Sequence, residues 1–373
     1  MNIFFDGQIF SAQNSRGISR YFINLINRLS LEPRVSTKIG LGLHSNELFL
    51  DTSYQNAGYY FSNKCSTFGK MVSVMSTACV NAFNEKKINF DLIHRTYYFP
   101  PILKKNMPEV LTVFDMMHEL FPENYKNSKI ITKLKKQAID RSDKIICISE
   151  NTKLDLQNIF NVPEEKLHVI HLSHSFPLND YNQWIKNKHK STFLKCKPIN
   201  YILYVGARVN HKNFVTLVKS YAKSLLPENN IFIGCFGGSK FTLEEKELFL
   251  KYQVSNKIMH FGNLESNLYD LYKNALLFVC PSFYEGFGLP IVEAMSVGCP
   301  VLTSNLGSLK EVLGNGGMRF DPKSTEELTK YLNELSFDFE RLSIMSKKSF
   351  KRSQDFSWDK CAKKTYKIYQ EIC

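Results

Sequence analysis

The sequence predicts an α/β protein made of two similar domains, each with a parallel sheet. Short apolar runs, bounded by turn residues or charges, alternate with helix-like stretches along the 373 residues. A polar, basic stretch without periodicity, residues 173–198, interrupts this alternation before the apolar run YILYVG restarts it. The length allows roughly two domains of about 150 residues each. We therefore expect domains at 1–180 and 198–355, with a cleft between them.

The apolar runs are predicted to be buried parallel strands. They cover residues 2–5, 92–94, 110–114, 144–148, 168–171, 201–205, 231–235, 276–280 and 301–303. Apolar residues at helical spacing predict helices over residues 15–29, 128–141 and 150–160. Ligands of open α/β sheets bind at the carboxyl ends of the strands, so residues directly after the strands are the first candidates for function.

Composition excludes several classes of protein and leaves an anionic partner to be identified. With 43% hydrophobic and 22% charged residues, the chain is neither disordered, collagen-like nor a coiled coil. The formal net charge of +13 indicates nucleic acid, an anionic membrane surface or phosphorylated small molecules as partners. Nine cysteines at irregular spacing, with no C-x-x-C pair, favour reduced thiols over disulfides or a zinc site.

The sequence shows no segment that we expect to target or cross a membrane. The N-terminus MNIFFDGQIF has no basic region before a long apolar stretch, so we expect no signal peptide. The most apolar helical candidate, residues 71–83, is shorter than the roughly 20 residues that span a bilayer. We expect a cytoplasmic protein, and peripheral contact with the inner face of the plasma membrane stays an open alternative.

The most informative segment is LFVCPSFYEGFGLPIVEAMSVGCPVLT, residues 277–303. A buried strand leads into a loop with Gly286 and Gly288, and Pro290 suits the start of a helix predicted over residues 291–297. The loop thus presents a helix N-terminus with unbonded backbone N–H groups, which is a phosphate site.

Two carboxylates, Glu285 and Glu293, lie eight residues apart across this loop, and we expect Glu293 in the first helical turn. Carboxylates accept hydrogen bonds from paired sugar hydroxyls, so phosphate donors and two acids together indicate a sugar nucleotide. Taken singly, the two residues are equally consistent with a helix-dipole carboxylate and a solvated loop residue.

The string E-G-F-G-L-P-I-V-E-A-M-S-V-G-C-P-V-L resembles the E-x7-E segment of glycosyltransferase family 4. These are retaining enzymes of GT-B fold, with two Rossmann-like domains facing across a central cleft. The resemblance implies that Glu293 binds the nucleotide ribose and that Glu285 is the catalytic contact to the transferred sugar. It also implies that the amides of Phe287, Gly288 and Leu289 meet the donor sugar and diphosphate.

Two further loops match the family. G-A-R-V-N-H-K-N is similar to G-x-R-x-x-x-K-N, which implies that Arg208 and Lys212 neutralise the donor diphosphate. Solvated charges on a loop are the alternative. The stretch R-G-I-S-R-Y resembles the G-I-G-R-Y loop that faces the diphosphate, and this implies a donor contact at Gly17, although Ser19 replaces the second glycine. A plain loop-to-helix junction is the alternative for Gly17.

The stretch T-V-F-D-M-M-H-E-L-F-P-E resembles the family's T-V-H-D motif but departs from it at Phe114, where the family has a histidine beside the transferred sugar. Asp115 matches and is a candidate catalytic or sugar-binding carboxylate, or else a loop-capping residue. His118 is a catalytic candidate on chemical grounds alone, and a structural histidine is its alternative.

The run D-L-I-H-R-T-Y-Y resembles D-x-x-H-x-x-Y-Y and makes His94 and Tyr97 candidate acceptor contacts. The resemblance assigns the acceptor to the first domain and the nucleotide sugar to the second. It also implies that a C-terminal helix, residues 356–373, packs back on the first domain. The basic stretch 126–136 is either a membrane-facing helix surface or a solvated helix on its own domain.

No D-x-D motif is present, so we expect no metal and no cofactor beyond the nucleoside-diphosphate sugar co-substrate. We predict a retaining, metal-independent glycosyltransferase that uses a GDP-mannose-like donor and a lipid-linked or oligosaccharide acceptor in bacterial O-antigen or capsule synthesis. A UDP-sugar 2-epimerase-like enzyme is one alternative, and a basic nucleic-acid-binding protein is another. The sequence has no recognised nucleic-acid motif, and we expect no nucleic-acid partner. A scaffold that binds sugar without catalysis also stays open, because of Phe114.

Overall fold

The computed structural model describes residues 1–13, 17–49, 58–60, 67–87, 89–101, 107–176, 200–263 and 267–373. The chain divides into two compact units, Met1–Leu172 with Trp358–Cys373, and Ser173–Ser357. From position 177 onward the predicted linker lies outside the described residues, as does Arg16 of the R-G-I-S-R-Y loop.

The first unit is built on a parallel sheet of six strands. Its elements in chain order are β1 (Asn2–Phe5), α1 (Gln8–Ala12), α2 (Gly17–Leu29), β2 (Ser36–Ile39), β3 (Leu43–His44), β4 (Tyr59–Tyr60), α3 (Thr67–Lys87), β5 (Leu92–Arg95), β6 (Glu109–Val113), α4 (Met117–Leu120), α5 (Ser128–Arg141), β7 (Lys144–Cys147), α6 (Glu150–Phe160) and β8 (Leu167–Val169). The sheet order is β2-β1-β5-β6-β7-β8, and β3 and β4 form a separate small pair.

The second unit repeats this architecture. Its elements are β9 (Asn200–Val205), α7 (Phe214–Lys223), β10 (Ile231–Phe236), α8 (Leu243–Lys251), β11 (Ile258–His260), α9 (Leu268–Asn274), β12 (Leu277–Cys280), α10 (Leu289–Ser296), β13 (Val301–Ser304), α11 (Gly307–Leu313), β14 (Met318–Phe320), α12 (Thr325–Phe337) and α13 (Phe339–Ser353). The parallel sheet runs β11-β10-β9-β12-β13-β14. The predicted α/β class with parallel sheets is confirmed.

The final helix, α14 (Trp358–Ile372), belongs to the first unit although it follows the second in sequence. It packs against α2, and the ring centroids of Tyr21 and Trp358 lie 6.1 Å apart. Ile368 and Tyr369 are buried on the same face of α14. The helix therefore completes the core of the first unit.

The predicted strands agree with the structure to within a residue at either end, except at the edges of the sheets. The run predicted over 168–171 is strand β8, Leu167–Val169. Strands β2, β11 and β14 were not predicted, nor was the small pair β3–β4. β2, β8, β11 and β14 are the edge strands of the two six-stranded sheets. Helices α5 and α6 have the predicted bounds, and α2 begins at Gly17 in the described part of the chain.

Candidate functional site

The candidate site of the second unit lies at the topological switch point of its sheet, where successive strands change from one side of β9 to the other. β9 pairs with β10 on one side and β12 on the other, so the chain builds outward from β9 in both directions. Such a switch point leaves a crevice at the carboxyl ends of the two strands, where ligands bind. The loops after β9 and β12 are joined there, because the Phe283 N–H donates to the His211 carbonyl at 2.7 Å.

Lys212 and Glu285, one from each loop, form a close ion pair. The Lys212 Nζ lies 2.5 Å from one carboxylate oxygen of Glu285 and 2.6 Å from the other. The Ser282 hydroxyl donates to the same carboxylate at 2.9 Å, and the Ser308 hydroxyl donates to the Glu285 carbonyl at 2.6 Å. Glu285 is buried, so these contacts fix its carboxylate in one orientation instead of leaving it solvated.

Arg208 is held beside the same site by protein groups. Its side chain is 3% exposed, and its Nε donates to Glu245 at 2.6 Å. Its terminal nitrogens donate to the carbonyls of Gly237 at 3.1 Å and Ser239 at 2.5 Å. The guanidinium also stacks over the Phe241 ring, 4.9 Å from its centroid. The alternative of a solvated Arg208 is wrong, because this side chain ties the loop after β9 to the loop after β10.

The loop after β10 contains two glycines in the left-handed region, Gly237 at φ 83° and Gly238 at φ 69°. A Cβ on Gly238 would lie 3.2 Å from a terminal nitrogen of Arg208. These glycines were not among the predicted site residues, although a Gly-Gly pair directly after a strand is a recognisable signal. Glu245 was not predicted either, and it caps α8 through Thr242 while it binds Arg208.

Helix α10 begins at Leu289, two residues earlier than predicted, with Gly288 as its N-cap and Pro290 in its first turn. Gly288 has φ 95°, and a Cβ there would lie 2.8 Å from the Leu309 side chain. Both the dihedral angle and the close approach require glycine. The predicted helix N-terminus after a glycine turn is present.

Glu293 is the fifth residue of α10 and lies in its second turn, so the prediction of a first-turn position is wrong. Its carboxylate is buried and accepts a hydrogen bond from the Tyr272 hydroxyl at 3.0 Å. Burial, and then the Glu293 charge, raise the pKa of Tyr272 well above its usual range, so this hydroxyl stays a donor. Tyr272 lies on α9, and nothing in the local sequence indicated it.

Residues Phe287 to Leu289 lead into α10, and the side chain of Phe287 is packed in the protein interior. The Phe287 ring is buried, 5.8 Å from the Phe356 ring at an interplanar angle of 82°. Leu289 is half-buried. The side chain of Phe287 therefore anchors the loop, and its predicted role rests on the backbone amide alone.

In the first unit, His94 belongs to the core. It is fully buried, and its ring nitrogens bond to the Tyr369 hydroxyl at 2.5 Å and the Thr112 hydroxyl at 2.8 Å. Burial lowers the pKa of His94 to about 3. Both nitrogens are occupied by protein hydroxyls, so we correct the predicted acceptor contact and assign His94 a structural role.

Tyr97, Asp115 and His118 come together at the carboxyl ends of the paired strands β5 and β6. The Met117 N–H donates to Asp115 at 3.0 Å, which is the loop-capping bond of the alternative interpretation. His118 lies 4.6 Å from the Tyr125 ring between centroids. Its pKa is lowered by burial and then by the charge of Lys135.

Burial and then the charges of Asp115 and Glu119 raise the pKa of Tyr97. The charge on Asp115 thus reaches both Tyr97 and His118. Lys135 of α5 pairs with Glu119 at 2.6 Å and donates to the Asp115 carbonyl at 2.9 Å. Asp115 therefore lies near enough to the other two predicted residues for its charge to act on both.

Phe114 is buried at the end of β6, with its ring centroid 5.3 Å from that of Tyr21. At the position where the family has a histidine, this chain thus has a phenylalanine whose ring packs in the core. Gly17 begins α2, and a Cβ added to it would meet no described atom within 4 Å, which agrees with the plain helix junction.

Helix α5 does not present its apolar stripe outward. Ala138 is buried, and Ile131 and Leu134 pack against the core of the first unit. Among the apolar residues of α5, only Ile130 is exposed. Of the two interpretations of residues 126–136, this burial agrees with a solvated helix on its own domain.

The two halves of the chain match two glycosyltransferase profiles. Residues 73–172 match the profile described as Glycosyltransferase Family 4, and residues 186–352 match Glycosyl transferases group 1. Together they cover more than two thirds of the chain. The chain carries a glycosyltransferase family 4 domain and a glycosyl transferases group 1 domain, and it is a glycosyltransferase.

Full-length similarities agree with this assignment. The glycosyltransferase is 26% identical to O-antigen chain mannosyltransferase B of Escherichia coli, over 95% of this chain and 96% of the relative. Sucrose-phosphate synthase from Thermosynechococcus elongatus has the same fold, with a TM-score of 0.74 and 17% identity. The match covers 100% of this chain and 98% of the synthase chain. WaaG, a glycosyltransferase involved in lipopolysaccharide biosynthesis, is similar in structure with a TM-score of 0.73 and 15% identity, and the match covers 99% of each chain. The fold is GT-B.

The family assignment settles the alternatives that composition left open. The protein is a glycosyltransferase enzyme, so the epimerase and nucleic-acid-binding interpretations are wrong. Among the residues that the structure describes, no three or more His, Cys, Asp or Glu side chains group as metal ligands. No helix within the described ranges is long and apolar enough to cross a membrane.

Proposed function

We propose that this glycosyltransferase moves a sugar from a nucleoside-diphosphate donor to a lipid-linked or oligosaccharide acceptor in bacterial O-antigen or capsule synthesis. The observation that carries the proposal is the Lys212–Glu285 pair beside the Gly288 turn into α10, on loops that meet at the switch point of the second sheet. A cation, a helix N-terminus and an oriented carboxylate within one crevice suit a sugar diphosphate.

The donor is proposed to bind with its diphosphate at the start of α10. The amides of Phe287, Gly288 and Leu289 and the charges of Lys212 and Arg208 face the phosphates. When the bond from the anomeric carbon to the diphosphate oxygen breaks, the electron pair stays on the leaving diphosphate. These positive groups stabilise that charge. The acceptor oxygen forms the new bond to the same carbon, with retention of configuration, and its proton passes to the oxygen of the departing diphosphate.

The two acids take different parts of the donor. Glu293, held by Tyr272, accepts hydrogen bonds from the ribose hydroxyls, and Glu285 contacts the transferred sugar. Lys212 is bonded to Glu285 before any donor arrives, so the diphosphate shares this lysine with the carboxylate. No metal is required, since the lysine, the arginine and the helix dipole supply the positive charge.

The donor is proposed to be GDP-mannose, a choice supported by the mannosyltransferase similar along almost the whole chain. In the first unit, Tyr97, Asp115 and His118 are proposed to contact the acceptor or the transferred sugar, because they follow the ends of β5 and β6 and the Asp115 charge acts on the other two. Gly17, at the start of α2, is proposed to approach the diphosphate.

The test compares Glu293→Gln with the matched control Glu247→Gln, an exposed acid on α8. Thermal shift and calorimetric titration with GDP-mannose, UDP-glucose and TDP-glucose measure binding. At 100 times its dissociation constant a ligand stabilises the protein by about 2.7 kcal/mol. We expect GDP-mannose to stabilise the wild type and the control, and Glu293→Gln to bind at least tenfold more weakly. Wild-type affinity in Glu293→Gln, or no response to any of the three donors, would contradict the proposal.

A further inference from the structure

Helix α3 buries a set of polar side chains and exposes a row of apolar ones, the reverse of an ordinary surface helix. Five polar side chains on its inner face are buried: Ser73, Thr77, Asn81, Asn84 and Glu85. On the outer face, every fourth residue is an exposed apolar side chain or thiol: Met71 (54%), Met75 (61%), Cys79 and Phe83 (58%). We call these four residues the α3 stripe.

Hydrogen bonds fix the rotation of α3 about its axis. The Asn81 amide donates to the Asp6 carbonyl at 2.6 Å, and the Gly42 N–H donates to the Thr77 hydroxyl at 3.1 Å. Glu85 accepts from Arg95 at 2.9 Å. Turning the helix to bury the methionines would expose or break these buried polar contacts, which is costly. The α3 stripe is therefore held outward by the fold.

Two of the charged side chains that the structure describes on α3 are basic and exposed, Lys70 and Lys86, near the two ends of the stripe. The acid Glu85 is turned inward onto Arg95. The strand β3 lies against the same helix, where the Ser76 hydroxyl accepts from the Leu43 N–H at 2.9 Å. Its partner strand β4 carries the exposed Tyr59. The α3 stripe thus combines apolar side chains, including the aromatic ring of Phe83, with two basic groups near its ends.

We propose that the α3 stripe docks the enzyme on an anionic lipid bilayer, with α3 lying parallel to the membrane surface. From Met71 to Phe83 the stripe is about 18 Å long, which suits shallow insertion along the interface. The lysines then reach the anionic headgroups. A second copy of the chain fits less well, because a symmetric antiparallel pairing of two α3 helices would bring Lys70 against Lys86 of the other copy. The proposal concerns where the enzyme works and holds for any sugar donor.

The test is co-sedimentation of the full-length protein with vesicles of equal parts phosphatidylglycerol and phosphatidylcholine, and with phosphatidylcholine alone. We expect the wild type to bind the anionic vesicles, and the pair Met71→Glu and Met75→Glu to bind them at least tenfold more weakly. The control Leu250→Glu changes an equally exposed leucine in the second unit and should bind like the wild type. Thermal shift by the nucleotide sugar should be unchanged in all variants, which separates this test from that of the donor site.

A second readout follows insertion directly. An environment-sensitive dye on Cys79, with Cys65, Cys196 and Cys373 replaced by serine, should shift its emission to the blue with anionic vesicles. If the glutamates lower the melting temperature, the pair Met71→Ser and Met75→Ser replaces them. Equal vesicle binding by wild type and stripe variants, or no binding by the wild type, would overturn the proposal. The proposal would also be overturned if light scattering showed that the wild type is a dimer and the Met75→Glu variant a monomer, while the dye emission did not shift with vesicles.

Discussion

At the scale of single residues, the candidate donor site is made of basic groups that are each paired with a carboxylate of the protein. Lys212 is bonded to Glu285, and Arg208 to Glu245. A buried charge without a partner is costly, so each pairing fixes the geometry of its members before a ligand arrives. Preorganised charge of this kind stabilises a developing anion without further rearrangement.

Glu245 should act as a positioning residue for Arg208. In Glu245→Gln the side chain keeps its shape but loses the charge that holds the guanidinium Nε, at a cost of about 1–3 kcal/mol in the free energy of unfolding. We expect weaker binding of the nucleotide sugar with little change in binding of the nucleoside alone, as measured by calorimetric titration. Glu244→Gln, in the same exposed first turn of α8, is the control. Equal loss for both ligands would point to general unfolding instead.

The burial of His94 predicts a pH dependence of stability. Its folded pKa of about 3 is below the ordinary value of 6.5, so below pH 6.5 the unfolded chain takes up a proton that the folded chain does not. Between pH 7.5 and 5.5 this residue should lower the free energy of unfolding by about 1.4 kcal/mol. Urea unfolding of the wild type and of His94→Gln at both pH values measures the difference. An identical pH dependence in the two proteins would contradict the assignment of His94 to the core.

At the scale of elements, the central strands of each sheet were predicted correctly from the sequence, and the edge strands were missed or shifted. Central strands such as β6 and β12 are buried along their whole length, and their sequences, EVLTV and LFVC, are mostly apolar. The edge strand β2, with the sequence STKI, alternates between exposed and buried residues and has no such run. An edge strand has only one hydrogen-bonded neighbour and tolerates polar residues, so its pairing depends on the sheet beside it and not on its own composition.

Helix α10 depends on the conformation of one glycine. Gly288→Ala places a Cβ at φ 95° and 2.8 Å from the Leu309 side chain, so the turn must shift. We expect the free energy of unfolding to fall by about 1–3 kcal/mol. Donor affinity should fall as well, because the amides at the start of α10 move. Gly17→Ala is the control for stability only, since its Cβ would meet no described atom within 4 Å. Glu247→Gln, at an exposed position of α8, is the control for donor affinity. Denaturant unfolding and nucleotide-sugar titration check both effects, and an unaffected Gly288→Ala protein would show that the helix start needs no left-handed residue.

At the scale of the whole molecule, the chain forms two parallel sheets of six strands each, one in each unit. It then returns to the first unit with α14. The stability of the first unit therefore depends on residues at the far end of the sequence. The hydrogen bond between Tyr369 and His94 spans 275 positions. Truncation or mutation at the C-terminus should thus affect the N-terminal half of the chain.

Ile368→Ala tests this dependence. It removes a buried side chain of α14 and should cost about 2–5 kcal/mol in the free energy of unfolding. Because the loss falls on the first unit, limited proteolysis should cut within residues 1–172 before it cuts the second unit. Gln370→Ala, at an exposed position of the same helix, should leave the cleavage pattern unchanged. First cleavage of Ile368→Ala within the second unit would refute the role of α14.

The sequence by itself determined the α/β class, the central strands, the glycine turn into α10, and the acids and bases that follow the strands. These features are local, because periodicity and turn chemistry are properties of a few consecutive residues. Only the tertiary structure decided that Arg208 binds Glu245, that Tyr272 holds Glu293, that His94 lies in the core and that the methionines of α3 face outward. Each of these depends on residues brought together by the order of strands in a sheet or by the rotation of a helix, and these long-range contacts leave no mark in the neighbouring sequence.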